Sequence, residues 1–115
     1  MTNVGREEVL DSLLENLGMT TTVELLAFAL PHIGQRRDSL QQLLQAGDWE
    51  GAGRVAHKTL SSARLYSSSQ FETLLRKVSK QDIAVIATAE FQTMLDEEFS
   101  FTIKALEQWL ASAAA

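Results

Sequence analysis

Large apolar residues recur three and four positions apart along most of this chain. Leu10, Leu13, Leu14 and Leu17 form one set, and Leu25, Leu26, Phe28 and Leu30 a second. Ile33, Leu40, Leu43 and Leu44 continue the pattern. Phe71, Leu74, Leu75 and Val78 form another set, and Leu95, Phe99, Ile103, Leu106 and Leu110 the last. Residues so spaced share one face of an α-helix, whereas a half-buried strand needs alternation. One proline and six glycines in 115 residues leave little to interrupt such helices. The expected class is therefore all-α.

The breakers divide the pattern into elements. The first helix is expected over about Arg6–Asn16, with Gly18 as its stop. The second opens at Thr21, with Glu24 three residues on as a capping box. Pro31 interrupts it and is expected to kink or break it. Gly47 is a C-terminal stop, and Asp48 caps the helix that begins at Trp49. A connection this short makes an antiparallel hairpin. Ser69 with Glu72 forms a second capping box. Asp82 is the candidate cap of the last, long segment, in which the spacing leaves open a break near Ala87–Glu90. The architecture expected is an up-down-up-down four-helix bundle with an additional short N-terminal helix, a single domain spanning residues 1–115.

Composition narrows the function. Fifteen acidic against ten basic side chains leave a net charge of −5, which argues against nucleic acid as the main partner. With no cysteine there is neither a disulfide nor a thiolate zinc site. Arg6, Glu7 and Glu8 stand where a signal peptide needs an apolar stretch, and no run approaches the ~18 residues of a membrane span. No membrane association is expected, and the cytoplasm is the expected location. The start at Met1 and the short length suggest a free-standing protein.

One segment departs from the acidic average. Between Gly51 and Phe71 there is no Asp or Glu, yet Arg54, Lys58 and Arg64 all lie there, with His57 among them. On a helical wheel Ala52, Val55, Ala56, Thr59, Ala63 and Tyr66 fall into one arc, the face that must meet the bundle. His57 lies roughly 160° from its centre and points to solvent. Gly53 and Ser61, one turn before and after, are small and leave the ring unshielded. An exposed imidazole has a lone pair on one nitrogen and is a competent nucleophile. A positive surround suits an anion, a phosphoryl group above all. Other than Glu50, roughly two turns before it, no acid in this helix could orient the ring, and with no nearby hydroxyl or carboxylate partner a hydrolase site is not expected. His32 and His57 are the only histidines, so no metal site is expected; His32, after Pro31, reads as structural or incidental.

These features, in this order, resemble those of the histidine-containing phosphotransfer (HPt) domain family. The likeness covers most of the chain and is strongest over LLAFALPHIGQRRDSLQQLLQAGDWEGAGRVAHKTLSSARLYSSSQFETLLRKV, from Leu25 to Val78. It rests on the apolar helix with Phe28 and Pro31, Leu40 and Leu44, the Gly47-Asp48 turn, and Ala56-His57 about nine residues after the aspartate. A small-residue segment and a helix like Phe71–Val78 follow. The resemblance implies a helical bundle whose His57 carries a phosphoryl group between aspartates of receiver domains, those of a hybrid histidine kinase or a response regulator. It implies a monomer and a phosphoryl carrier rather than an enzyme. It implies no cofactor of the chain's own, magnesium belonging to the partner receiver. No Gly-rich phosphate loop or ATP lid is present.

The chain departs from the family's usual His-x-Leu-Lys-Gly pattern. Leu60 stands where a lysine supports the phosphate, Ser61 where a glycine follows, and Ser67 where a later glycine lies. Arg54 and Arg64 are the candidates to supply the missing charge, with Lys58, about 100° round the helix from His57, and Ser61 as further phosphate-supporting candidates. Gly53 and Leu60 are the candidate partner-docking residues, Leu60 having an equal claim to the core's edge. Two other readings stand beside the relay: a module of the same fold that binds kinase or receiver domains without carrying phosphate, and an unrelated helical adaptor or oligomerisation bundle.

Overall fold

The computed structural model describes residues 6–63 and 65–114, and the elements among them are all helical. They are α1 (Arg6–Leu17), α2 (Met19–Ala46), α3 (Trp49–Ala63), α4 (Ser69–Ser79), α5 (Ile83–Ile86) and α6 (Ala89–Ala114). Helix α2 packs against α3 and α6, and α4 packs against the same two, so these four helices form a closed ring of neighbours. Helix α1 lies on α2 through Leu10 and Leu13.

The core is assembled from the stripes: Leu26, Ile33, Leu40 and Leu44 of α2, Phe71, Leu74, Leu75 and Val78 of α4, and Leu95, Phe99 and Leu106 of α6 are buried. At its centre Phe71 and Phe99 meet edge to face, with centroids 4.7 Å apart and planes at 74°. This is the favoured geometry for aromatic quadrupoles. The buried hydroxyls are satisfied locally: Thr22, Thr59, Ser67 and Thr102 each donate to the carbonyl four residues earlier, at 2.6–2.8 Å. Between α2 and α6, Arg37 grips Asp96 through Nε (2.6 Å) and Nη2 (3.1 Å), and Gln41 Nε2 adds a third donor at 2.5 Å. The paired charges draw the Arg37 pKa further up, the hydrogen bond to Asp96 being the main cause.

Several local expectations are corrected. Helix α2 begins at Met19 rather than Thr21, with Gly18 (φ 79°) at the N-cap and no side-chain cap. Thr21, expected to open a capping box with Glu24, lies inside the helix instead, and the next residue, Thr22, turns its hydroxyl back to the Gly18 carbonyl. Helix α2 continues through Pro31 for 28 residues without a break. Proline removes the donor for the Ala27 carbonyl, but Ala27 and Pro31 are both exposed, while Leu26 and Ile33 are buried on either side. Phe28, placed inward by the spacing, is 71% exposed. The cap of α4 is Ser68, one residue earlier than Ser69, its Oγ accepting from the Phe71 amide at 3.3 Å. The last segment does break: α5 is a single turn, and Thr88 caps α6 by accepting from the Phe91 amide at 3.2 Å. Asp82 stands at the start of α5 without a side-chain cap bond.

Candidate functional site

The site is positioned by the way α3 begins. Gly47 adopts φ 72°, ψ 19°. Its amide donates to Leu44 at 3.2 Å, and that of Asp48 to Leu43 at 2.9 Å, the paired bonds of a Schellman ending. The left-handed conformation favours glycine here. Asp48 Oδ1 then accepts from the Gly51 amide at 2.9 Å, capping α3 at once. The helix seats its small side chains, Ala52, Ala56, Thr59 and Ala63, against the core, all at 1% exposure or less. Small residues there let α3 lie close to its neighbours. With that face committed, His57 emerges on the opposite side and is exposed.

Among the described residues, none is hydrogen-bonded to the His57 imidazole. Lys58 and Ser61 are exposed beside it. The Ser61 hydroxyl donates to the Lys58 carbonyl at 2.6 Å, so its one proton is engaged. Arg54 is exposed but not free: its Nη1 lies 3.1 Å from Glu50 Oε1. The acid-free stretch in sequence therefore does not make an acid-free face, because Glu50, just outside it, returns to that face after two turns. An i,i+4 pair is the recognisable signal for this, and reading the segment by its boundaries misses it. Arg64 lies outside the described residues.

The two glycines have structural reasons. A Cβ on Gly51 would stand 2.6 Å from Asp48 Oδ2, inside the cap. Gly53 is corrected: it does not lie open beside His57 but is buried against the end of α4. A Cβ there would meet Gln81 Cγ at 3.3 Å, the Val78 carbonyl at 3.4 Å and the Ser79 carbonyl at 3.5 Å. Its lack of a side chain lets α3 approach α4. Leu60, too, is half-buried and packed against the core's edge rather than standing on an open flank.

A second surface feature escaped the sequence reading. Phe28, His32 and Arg36 of α2 and Ser62, Leu65 and Tyr66 around the end of α3 line a mostly apolar cavity of about 260 Å³. The Phe28 and His32 rings lie 4.8 Å apart, and His32 Nδ1 is 3.0 Å from the Phe28 carbonyl. Thus His32 serves a local contact one turn back. Leu65, 38% exposed, lies in the turn just beyond α3, its amide donating to the Ser62 carbonyl at 3.0 Å, and forms part of the cavity's rim. Burial pushes the Tyr66 phenol above its ordinary pKa, opposed by its contact with Ser62 and by the Arg36 charge.

Among the described residues no group of His, Asp and Glu is placed to hold a metal ion, and no helix is long and apolar enough to cross a membrane. Compared with family models, curated proteins and solved structures, the chain matches none.

Proposed function

We propose that this chain is a histidine phosphotransfer protein, with α2, α3, α4 and α6 as an up-down-up-down four-helix bundle and α1 as the additional N-terminal helix. The observation that carries the reading is the position of His57. It is solvent-exposed on a helix whose opposite face is wholly committed to the core, and no side chain among those described holds its ring. Such an imidazole is accessible to an aspartyl phosphate presented by a receiver domain. The unprotonated ring nitrogen donates its electron pair to phosphorus. The N–P bond forms as the P–O bond to the aspartate breaks, and the carboxylate leaves with that electron pair. Transfer to a second receiver aspartate is the same step reversed. Rate in such a step depends on alignment and charge neutralisation, which Arg54, Lys58 and the partner supply. Exposed Phe28 and Leu65, at the rim of the cavity between α2 and the end of α3, offer a receiver an apolar docking contact.

One observation favours a second reading, a docking module that carries no phosphate. The family's lysine position is Leu60, packed at the core's edge, and Arg54, one turn from His57, is paired with Glu50. The two readings separate in a transfer assay from phosphorylated receiver domains, with the wild type beside His57→Gln. Acid-labile, alkali-stable label on the wild type alone supports the relay. Binding without label in either protein supports the docking module. Label retained by His57→Gln removes His57 from the mechanism.

A further inference from the structure

The exposed face of α3 carries an arrangement that the relay chemistry does not require. Glu50, Arg54, His57 and Ser61 fall within about 60° of one another on the wheel. Arg54 is one turn from His57, where side chains at i and i+3 meet. Its guanidinium is nevertheless turned the other way, onto Glu50 at 3.1 Å. Both partners are well exposed, with 66% of the Arg54 and 77% of the Glu50 side chain accessible. A pair so hydrated is weak and exchanges readily.

We infer that Glu50 is an internal counter-ion that holds Arg54 away from His57 until a phosphoryl group arrives to compete for it. This rests on His57 being the phosphoryl carrier. The phosphoryl group brings close to two negative charges and three acceptor oxygens, matched to the guanidinium fork. Glu50 offers one charge. Arg54 therefore transfers to the phosphorylated ring, and Glu50 sets how far that transfer goes. Direct repulsion between Glu50 and the phosphoryl group is the lesser effect. Seven residues of helix place the two about 10.5 Å apart along the axis, beyond the ~8 Å screening length at physiological salt. Glu50 acts through Arg54, as a positioning residue, and tunes the phosphorylated fraction of a site that lacks the family's lysine.

The test uses phosphoramidate, a donor too small to need a docking surface. The neutral ring nitrogen takes the phosphoryl group, the donor's P–N bond breaks, and ammonia leaves with that bond's electron pair. Phosphohistidine is read by ³¹P NMR in wild type, Glu50→Gln, Arg54→Gln and the double variant, all with helicity checked by circular dichroism. Glu50→Gln is expected to raise the phosphorylated level about twofold, the scale of one exposed i,i+4 pair. Arg54→Gln should lower it by a similar factor. The double variant should match Arg54→Gln, and 1 M salt should erase the difference between Glu50→Gln and wild type. An unchanged level in Glu50→Gln or in Arg54→Gln overturns the inference, as does a rise that persists in the double variant. Absence of phosphohistidine at position 57 in the wild type overturns the carrier reading itself, and with it this inference.

Discussion

Replacing both rings of the Phe71–Phe99 pair tests whether α4 and α6 close the ring of helices. Phe71 is fully buried and Phe99 is 1% exposed, with centroids 4.7 Å apart, so neither ring has water as a fallback partner. Phenylalanine to alanine at either site would cost about 3–5 kcal/mol. That is a large share of the roughly 6–15 kcal/mol expected for a chain of this size. Leucine is the better probe, because it keeps most of the apolar volume and removes the edge-to-face contact. Each single change is expected to cost about 1–2 kcal/mol. An aromatic pair in this geometry contributes about 0.5–1.5 kcal/mol beyond buried area. The double variant should therefore be less destabilised than the sum of the singles by about 1 kcal/mol. Urea unfolding followed at 222 nm resolves this. With a slope of about 1–3 kcal/mol/M, the coupling displaces the midpoint by roughly 0.3–1 M. Strict additivity would mean that the rings do not touch in solution and that α4 does not pack on α6 as described.

Asp48→Ala removes the cap bond to the Gly51 amide and should cost about 1 kcal/mol in urea unfolding; Asp48→Asn should recover most of it. Gly53→Val pushes branched methyls toward the Val78 and Ser79 carbonyls and should cost about 1–3 kcal/mol; a stability equal to wild type would contradict the close approach of α3 to α4. The raised Tyr66 pKa favours the native state fully below the unfolded phenol's value of about 10, and this contribution is lost as pH rises from there through the folded value. Stability should therefore fall above about pH 10 in wild type, and the fall should be shallower in Tyr66→Phe when melting temperatures are compared along the pH series.

Much of the fold was legible because helices are local. The stripes from Leu26 to Leu44, Phe71 to Val78 and Leu95 to Leu106 are periodic, and most of their large residues are buried, while Leu30, Leu43 and Ile103 are half-buried and Phe28 is exposed. Gly47 and Asp48 were readable because a left-handed turn and an N-cap depend on neighbouring residues alone. The exposure of His57 was readable because a stripe of alanines and a threonine commits the other side of α3. Phe28 and Pro31 were misplaced for a shared reason. Periodicity reports which residues are apolar, but not where a neighbouring helix ends or which side of α2 is left uncovered. Glu50 was legible as the acid two turns from His57, but its i,i+4 pairing with Arg54 was not drawn from a stretch read as acid-free.

The sequence by itself determined the helical class, the main core positions, the α2–α3 turn and the outward direction of His57, since each follows from backbone periodicity and capping within a few residues. Tertiary structure decided what surrounds that histidine. It buried Gly53 against α4, drew Leu60 to the core's edge and left Phe28 in solvent at the rim of the cavity on α2 and α3. Those outcomes depend on how close two helices approach and where each one stops. Such distances are set by side chains far apart in the chain, and no local pattern encodes them.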